Sequence, residues 1–452
     1  MANADQIRAQ FERDGIRKVK VGAFDIDGIF RGKYISMDKF YSSIDGGFGF
    51  CDVVFGWDSN DTLYDNVTYT GWHTGYPDAH ASIDLDSLRI VPWEPNTALF
   101  LGDFHQKDGS PLPIAPRQVL QRVIAKAEKM GLVPISANEY EYFIFDETPH
   151  SIREKGFRNL KPLSPGMFGY SIQRASSHAD FVHAVIDQMA VYGIEIEGMH
   201  TETGPGVYEC AIKYGPALKA ADDAALFKTG IKEICARMDL IASFMAKPSD
   251  KLPGCSGHIH QSLWDADMQR NLFHGADGEP SEMARHFIGG QLALMPDMMC
   301  LIGPTINSYK RTIPNTWAPT SASWGHENRT TALRWIAGGP KSSRVEYRLA
   351  SADGNPYLAL AASLASGLYG IEHKIEPPPP IQRSAYTAPA GMYEPLPHTL
   401  EVAAERLAKS EIARELLGDA FVTHFVETRQ WEVRQYNQAV TTWELERYME
   451  VI

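Results

Sequence analysis

The chain has 452 residues, 44% of them hydrophobic and 22% charged, a length that suits two domains and a composition that buries a large core. Its formal net charge of −13, with no basic run, argues against a nucleic-acid partner, because phosphate binding needs an excess of Lys and Arg. No stretch approaches the roughly 20 continuous apolar residues that span a bilayer, and the five cysteines lack CxxC spacing, so a membrane span, a disulfide framework and a zinc site are all unsupported.

The polar N-terminal segment MANADQIRAQFERDGIRKVK predicts a short helix without the apolar centre of a signal peptide, and a reducing cytoplasm is the expected setting. Val19–Asp25 and Thr97–Asp103 read as strands among Gly- and Asp-rich turns. From Pro116 the pattern changes to an amphipathic helix that opens on proline and closes at Gly131. The strand VPISANEYEYFIFD follows, then a helix over His178–Tyr192 and the strand IEIEGMHTE. Gly206–Tyr214 predicts a further strand, and Ala217–Ala246 one long helix. Beyond it come the His-bearing strand GHIHQSLWD, a helix near Ser281–Leu301, the strand RVEYRLAS and a helix from Asn355. The tetraproline Pro377–Pro380 fits neither a helix nor a central strand and reads as a stiff surface connection. Helical segments run to the end, with Trp431 and Trp443 on apolar stripes expected in the core or at a subunit contact. The change of pattern between Asp103 and Pro116 divides the chain into units of 1–110 and 111–452.

One device recurs among the polar residues. Side chains two apart on a strand share a face, and Glu139 with Glu141, His258 with His260, and Glu346 with Arg348 are such pairs. Glu202 and Glu209 flank the turn in ETGPGVYE. Carboxylates set in apolar strands persist when something positive neutralises them. Oxygen and imidazole donors with no thiolate constellation favour Mg²⁺ or Mn²⁺ over zinc. Arg311, Arg329, Arg334, Arg344 and Arg348 add guanidinium groups suited to carboxylate or phosphate oxygens. Metals and arginines around one cavity suit phosphoryl transfer, and neither a P-loop nor a GxGxxG motif is present.

The strings NEYEYFIFD, ETGPGVYE, SGHIHQSLW, NSYKR, WGHENRTTALR and RVEYRLASADGNPYLALAASLASGLYGIE resemble the glutamine synthetase family in order and spacing. GYPDAHASIDLDSLRIVPW and FDIDGIFRGK resemble its smaller domain. The resemblance implies an α+β fold, with an N-terminal β-grasp domain followed by a catalytic α/β domain built as an antiparallel half-barrel. It implies Glu141, Glu202 and Glu209 on one metal ion and Glu139, His258 and Glu346 on another, with two or three Mg²⁺ or Mn²⁺ per site. Arg311, Arg348 and Gly254 would hold glutamate. His260, Ser262, Arg329, Arg334 and Arg344 would hold ATP or the transferring phosphate, with Arg329 and Arg311 catalytic. The partners implied are glutamate, ATP and an amine, in a homododecamer of two hexameric rings with sites shared between neighbours.

Two departures bear on the amine. Ammonia-using members carry a glutamate six residues past the Arg of NSYKR, where this chain has Trp317, whose indole holds an alkylammonium by its face but accepts no proton. The family's acidic ammonium loop is replaced by CDVVFGWDSND, with Phe55 and Trp57 beside Asp58 as the catalytic candidate. Both favour a γ-glutamyl-amine ligase acting on an alkyl-, aryl- or polyamine. The alternatives are an ammonia-using glutamine synthetase, a non-catalytic structural relative, and a guanidino kinase on a similar half-barrel. The short segment at Met392–Tyr393 gives no expectation of adenylylation.

Overall fold

The computed structural model describes residues 4–389 and 391–452. Strands β1 (Lys18–Phe24), β2 (Phe30–Ile35), β3 (Phe48–Cys51), β4 (Asp78–Ile90) and β5 (Thr97–His105) form one sheet in the order β2-β1-β5-β4-β3. β1 and β2 are antiparallel across a tight turn, in which Asp25 Oδ1 accepts from the backbone N–H groups of Asp27 (3.0 Å) and Ile29 (2.8 Å). Gly28 takes the left-handed position of that turn, at φ +77. β1 runs parallel to β5. Alternation along these strands buries both faces of the sheet. Val19, Val21, Ala98 and Phe100 pack with Phe11, Phe40 and Leu112, whereas Phe24, Leu99 and Leu101 enter the main core. Phe40, on the helix Met37–Gly46, stacks on Phe100 with ring centres 4.9 Å apart.

The second sheet has nine strands: β6 (Leu132–Phe145), β7 (Ile196–Thr201), β8 (Val207–Ile212), β9 (Gly215–Pro216), β10 (Ile241–Ser243), β11 (Gly257–Asp265), β12 (Trp324–His326), β13 (Leu333–Ile336) and β14 (Arg344–Tyr347). Their order is β12-β13-β14-β11-β6-β8-β7, with β9 and β10 also paired to β6. All pairs are antiparallel except β12 with β13. The helices Pro116–Lys129, Ala217–Arg237, Glu282–Ile302 and Pro356–Glu372 carry most of the remaining core. The last two cross backbone to backbone, because a Cβ on Gly370 would sit 2.1 Å from the His286 carbonyl oxygen.

Two expectations need correction. The helix expected over Ala217–Ala246 ends at Arg237: Asp239 adopts φ +55, the chain reverses, and Ile241–Ser243 pairs with β6 instead. The strand expected over RVEYRLAS covers Arg344–Tyr347, and Arg348 lies just past its end. Of the two tryptophans expected in the core or at a subunit contact, Trp431 is buried against Tyr64 (ring centres 5.2 Å), and Trp443 is 60% exposed on the helix Thr442–Tyr448, which leaves it the second of those expectations. The tetraproline lies in a connection without regular structure, tied down where Trp324 Nε1 donates to the Pro378 carbonyl at 2.6 Å. Among the described residues no helix is long and apolar enough to cross a membrane.

Candidate active site

The register of the second sheet assembles the acidic and imidazole residues in rows. On β6, Tyr140 and Tyr142 turn inward against Phe227 and Phe244, which leaves Glu139 and Glu141 on the opposite face. Glu141 lies opposite Glu209 on β8, and Glu209 opposite His200 on β7. Glu139 lies opposite His258 on β11. One step further, His260 lies opposite Glu346 on β14, and Glu346 opposite Arg334 on β13. Glu202 enters from the turn between β7 and β8, where its carboxylate accepts from the Thr203 backbone N–H.

The side chains meet at contact distance. His258 Nδ1 is 3.4 Å from Glu139 Oε2 and 3.3 Å from Glu346 Oε1. His260 Nε2 is 3.4 Å from Glu139 Oε2, and Arg344 Nε donates to His260 Nδ1 at 3.1 Å. That donation leaves the imidazole proton on Nε2, facing the carboxylate. Arg334 Nη1 and Arg348 Nη1 bind the two oxygens of Glu346 at 3.1 and 2.5 Å. Arg311 is buried, and its Nη1 and Nη2 donate to the carbonyls of Leu349 (2.9 Å) and Arg348 (3.1 Å), which fixes the guanidinium against the pocket wall. Gly254 supplies the room: a Cβ there would lie 2.8 Å from Arg311 Cγ.

The electrostatics ask for cations. Burial, then crowding by Glu139, Glu141 and Glu202, pushes the Glu209 carboxyl up to about 10. Burial opposes ionisation of Glu139 as well, yet hydrogen bonds from His258 and His260 outweigh it and hold this carboxyl well below the usual range. Glu346 falls to about 2, because His258 and Arg348 together outweigh its burial. Burial and the Arg348 charge lower the His258 pKa, which favours the neutral imidazole that a metal ion requires. Three groups of potential donors, Glu139–His260–Glu346, Glu139–Glu209–His258 and His200–Glu202–Glu209, have ligand atoms within 4.8 Å of one another. Oxygen-rich sets with one imidazole fit Mg²⁺ or Mn²⁺.

Glu139, Glu141, Glu202, Glu209, His258, His260 and Glu346 line one cavity of about 740 Å³, together with Gly254, Arg311, Trp317, Arg329, Arg334, Arg344 and Arg348. A neighbouring cavity of about 320 Å³ shares Glu139, His260 and Arg344 and adds Ser262, Tyr214 and Lys341. Ser262 therefore sits beside the acidic pocket, where its hydroxyl accepts from Trp264 Nε1 at 3.2 Å. Asp58 is not brought to either cavity of this chain. Its carboxylate caps its own loop, accepting from the backbone N–H groups of Asn60 and Thr62, both at 2.8 Å.

Tyr170 and Ser256 line this cavity outside the sequence reading, and His200, beside Glu202 and Glu209 but not on the cavity wall, lies outside it too. His200 stacks under Tyr170 with ring centres 4.1 Å apart, and its Nε2 is 3.8 Å from Glu209 Oε2. The pairing of His200 opposite Glu209, which the period of β7 alone does not reveal, is what brings it in. Ser256 Oγ is buried without a protein partner among the described residues, and Ser256 lines the same cavity as a polar group free for a ligand.

Residues 113–448 match the family model described as glutamine synthetase, catalytic domain. Over 439 residues the chain is 49% identical to type-1 glutamine synthetase 2 of Dictyostelium discoideum, covering 96% of this chain and 84% of that protein. It is 41% identical over 451 residues to a glutamate–isopropylamine ligase of a Pseudomonas species, covering 99% and 98%. A solved GmaS/ADP complex superposes with a TM-score of 0.85 at 27% identity, covering 98% of this chain and 99% of that one.

Proposed function

The chain belongs to the glutamine synthetase family, and on that premise we propose that it joins the γ-carboxylate of glutamate to an amine other than ammonia, at the expense of ATP. The observation that carries the choice of amine is Trp317. Its indole lines the acidic pocket and stays 64% exposed, on a backbone held at φ +61, which an aromatic residue rarely adopts. Tyr170 lines the same pocket and adds a second aromatic surface, with the His200 ring stacked against it. Aromatic faces hold an alkylammonium or a ring better than they hold ammonium.

In this reading Glu141, Glu202 and Glu209 hold one divalent ion, and Glu139, His258 and Glu346 another. Bound Mg²⁺ or Mn²⁺ supplies positive charge to the phosphate and carboxylate oxygens. Arg311, Arg348 and Gly254 hold glutamate, while His260, Ser262, Arg329, Arg334 and Arg344 hold ATP. A γ-carboxylate oxygen attacks the terminal phosphorus, and ADP leaves. The bound alkylammonium first releases a proton to solvent; the free amine nitrogen then attacks the acyl carbon of the acyl phosphate, the C–O bond to phosphate breaks, and the leaving phosphate takes the nitrogen's second proton. The fixed guanidinium groups of Arg311 and Arg348 orient the carboxylates and need little rearrangement as charge moves.

The parallel pairing of β1 with β5 and the helix over the sheet support a β-grasp reading of residues 1–110, ahead of a catalytic unit over 111–452. Asp58, remote from its own chain's pocket, is assigned to the site of a neighbouring copy in a homododecamer. A second reading, ammonia as the acceptor, is favoured by the 49% identity to a protein named glutamine synthetase.

ADP release with glutamate, Mg²⁺ and ammonia, methylamine, isopropylamine, ethanolamine, putrescine or aniline separates the two. An organic amine should give the highest kcat/KM; ammonia leading by a wide margin overturns the proposal. Trp317→Glu should move the ratio of ammonia to amine upward by about tenfold or more, since placing a charge opposite the substrate cation discriminates on that scale.

A further inference from the structure

A separate cavity of about 860 Å³ shares no lining residue with the acidic pocket. Lys228, Lys232 and Lys310 line it, together with Asp27, Asp58, Asp353 and Glu432. The fold satisfies all four acids. Asp27 pairs with Arg429 Nη2 at 2.6 Å, and Glu432 accepts from the Ile306 N–H (3.1 Å) and Arg429 Nη1 (3.3 Å). Asp353 accepts from Thr305 Oγ1 (2.7 Å) and Ser308 Oγ (2.9 Å), and Asp58 caps its own loop.

The lysines have no such partners. None of the three forms an ion pair among the described residues. Lys228 is 7% exposed, and its Nζ donates to the Gly354 carbonyl at 2.8 Å and lies 5.6 Å from the ring centres of Tyr140 and Phe244. Lys232 Nζ approaches the same Phe244 ring at 5.7 Å, and Lys310 Nζ lies 5.6 Å from Tyr436; both of these side chains are exposed. Burying an ammonium beside a second one is costly unless an anion joins them. Burial and then the Lys232 charge push the Lys228 amine down to about 7, and the Asp353 carboxylate offsets this only in part. Phe244, Ile306, Trp431 and Tyr436 supply an apolar and aromatic wall.

We propose that this cavity binds an organic anion, an apolar body bearing a carboxylate or phosphate whose charged end meets Lys228 at the floor, between Lys232 and Lys310 at the rim. The volume falls within the roughly 300–1,000 Å³ of small-molecule sites. The proposal stands independently of the choice of amine.

Calorimetric titration of phenyl phosphate and of phenylacetate into the full-length enzyme, saturated with Mg²⁺ and ADP, tests it, with phenol as the uncharged control. At least one anion should bind, and phenol should not; the stronger anion identifies the phosphate or the carboxylate source. Lys228→Met should weaken binding about tenfold or more, as expected for the loss of a buried charge-assisted hydrogen bond. Lys232→Gln and Lys310→Gln, at exposed positions that cost little folding energy, should each weaken it about two- to fivefold. Binding of neither anion, or binding unchanged in the Lys232→Gln/Lys310→Gln double variant, overturns the proposal, whether or not Lys228→Met folds.

Discussion

Glu209 faces Glu139, Glu141 and Glu202, and a carboxyl kept protonated by burial and by that crowding weakens folding as pH rises above its ordinary range. The sign follows from the direction of the shift: the unfolded chain releases this proton near the usual carboxylate pKa, and the folded chain holds it to about 10. Metal-free protein should therefore lose stability between about pH 5 and 9, and a bound cation should restore it. At a Mg²⁺ concentration 100 times its Kd, binding adds about 2.7 kcal/mol. Glu209→Gln should raise the Tm of the metal-free protein and shrink the Mg²⁺-dependent rise; thermal unfolding with EDTA and with Mg²⁺ reads both, and an undiminished rise would remove Glu209 from the ligand set. At this scale much was legible. The spacing of two in Glu139/Glu141 and His258/His260 gives each strand its reactive face. His200 and Ser256 were not legible, because what recruits them is a neighbouring strand or an orphaned hydroxyl.

The helix Asp419–Gln438 joins the N-terminal region to the catalytic core through Arg429, Trp431 and His424. His424 is buried with neither ring nitrogen hydrogen-bonded, and burial, followed by the nearby Arg429 charge, lowers its pKa to about 4. The unfolded chain takes up this proton near pH 6.5 and the folded one near 4, so stability should fall as pH drops through that window, by about 3 kcal/mol in full. His424→Leu leaves no polar group behind and should flatten that acid limb in urea titrations at pH 4.5 and 7. An equal loss in the variant would place the acid sensitivity elsewhere. Among elements, β1, β5, β6, β7, β8, β11, β14 and most helices were readable from periodicity, whereas β2, β3, β4 and the short β9, β10, β12 and β13 were not. The end of the helix at Arg237 was not, because the left-handed Asp239 carries no Gly or Pro signal, and the pattern past it stays compatible with a helix.

At the scale of the molecule, apolar side chains gather at one end of the chain. Met449 is 69% exposed, Val451 78% and Ile452 95%, next to the exposed Trp443. Exposed apolar side chains of that kind are suited to packing against a second copy. If the chain forms the proposed homo-oligomer, removing residues 440–452 should lower its mass in light scattering while leaving the acidic pocket intact, since none of them lines it. An unchanged mass would assign assembly to other surfaces. The change of pattern near Pro116 was legible, and it falls between the last strand of the first sheet and the helix Pro116–Lys129. The burial of both faces of the N-terminal sheet was not, since Phe24, Leu99 and Leu101 reveal their partners once the chain is folded.

β6 is paired along its length with β11, β8, β9 and β10, whereas β7 bonds only to β8 and closes the sheet on that side. Amide protons beside Glu139 and Glu141 can exchange with solvent only when the whole sheet opens, but those around His200 can exchange by fraying at the border. The strand that carries Glu139 and Glu141 is thus clamped on both sides, and the strand that carries His200 is the one free to open at the border of the sheet.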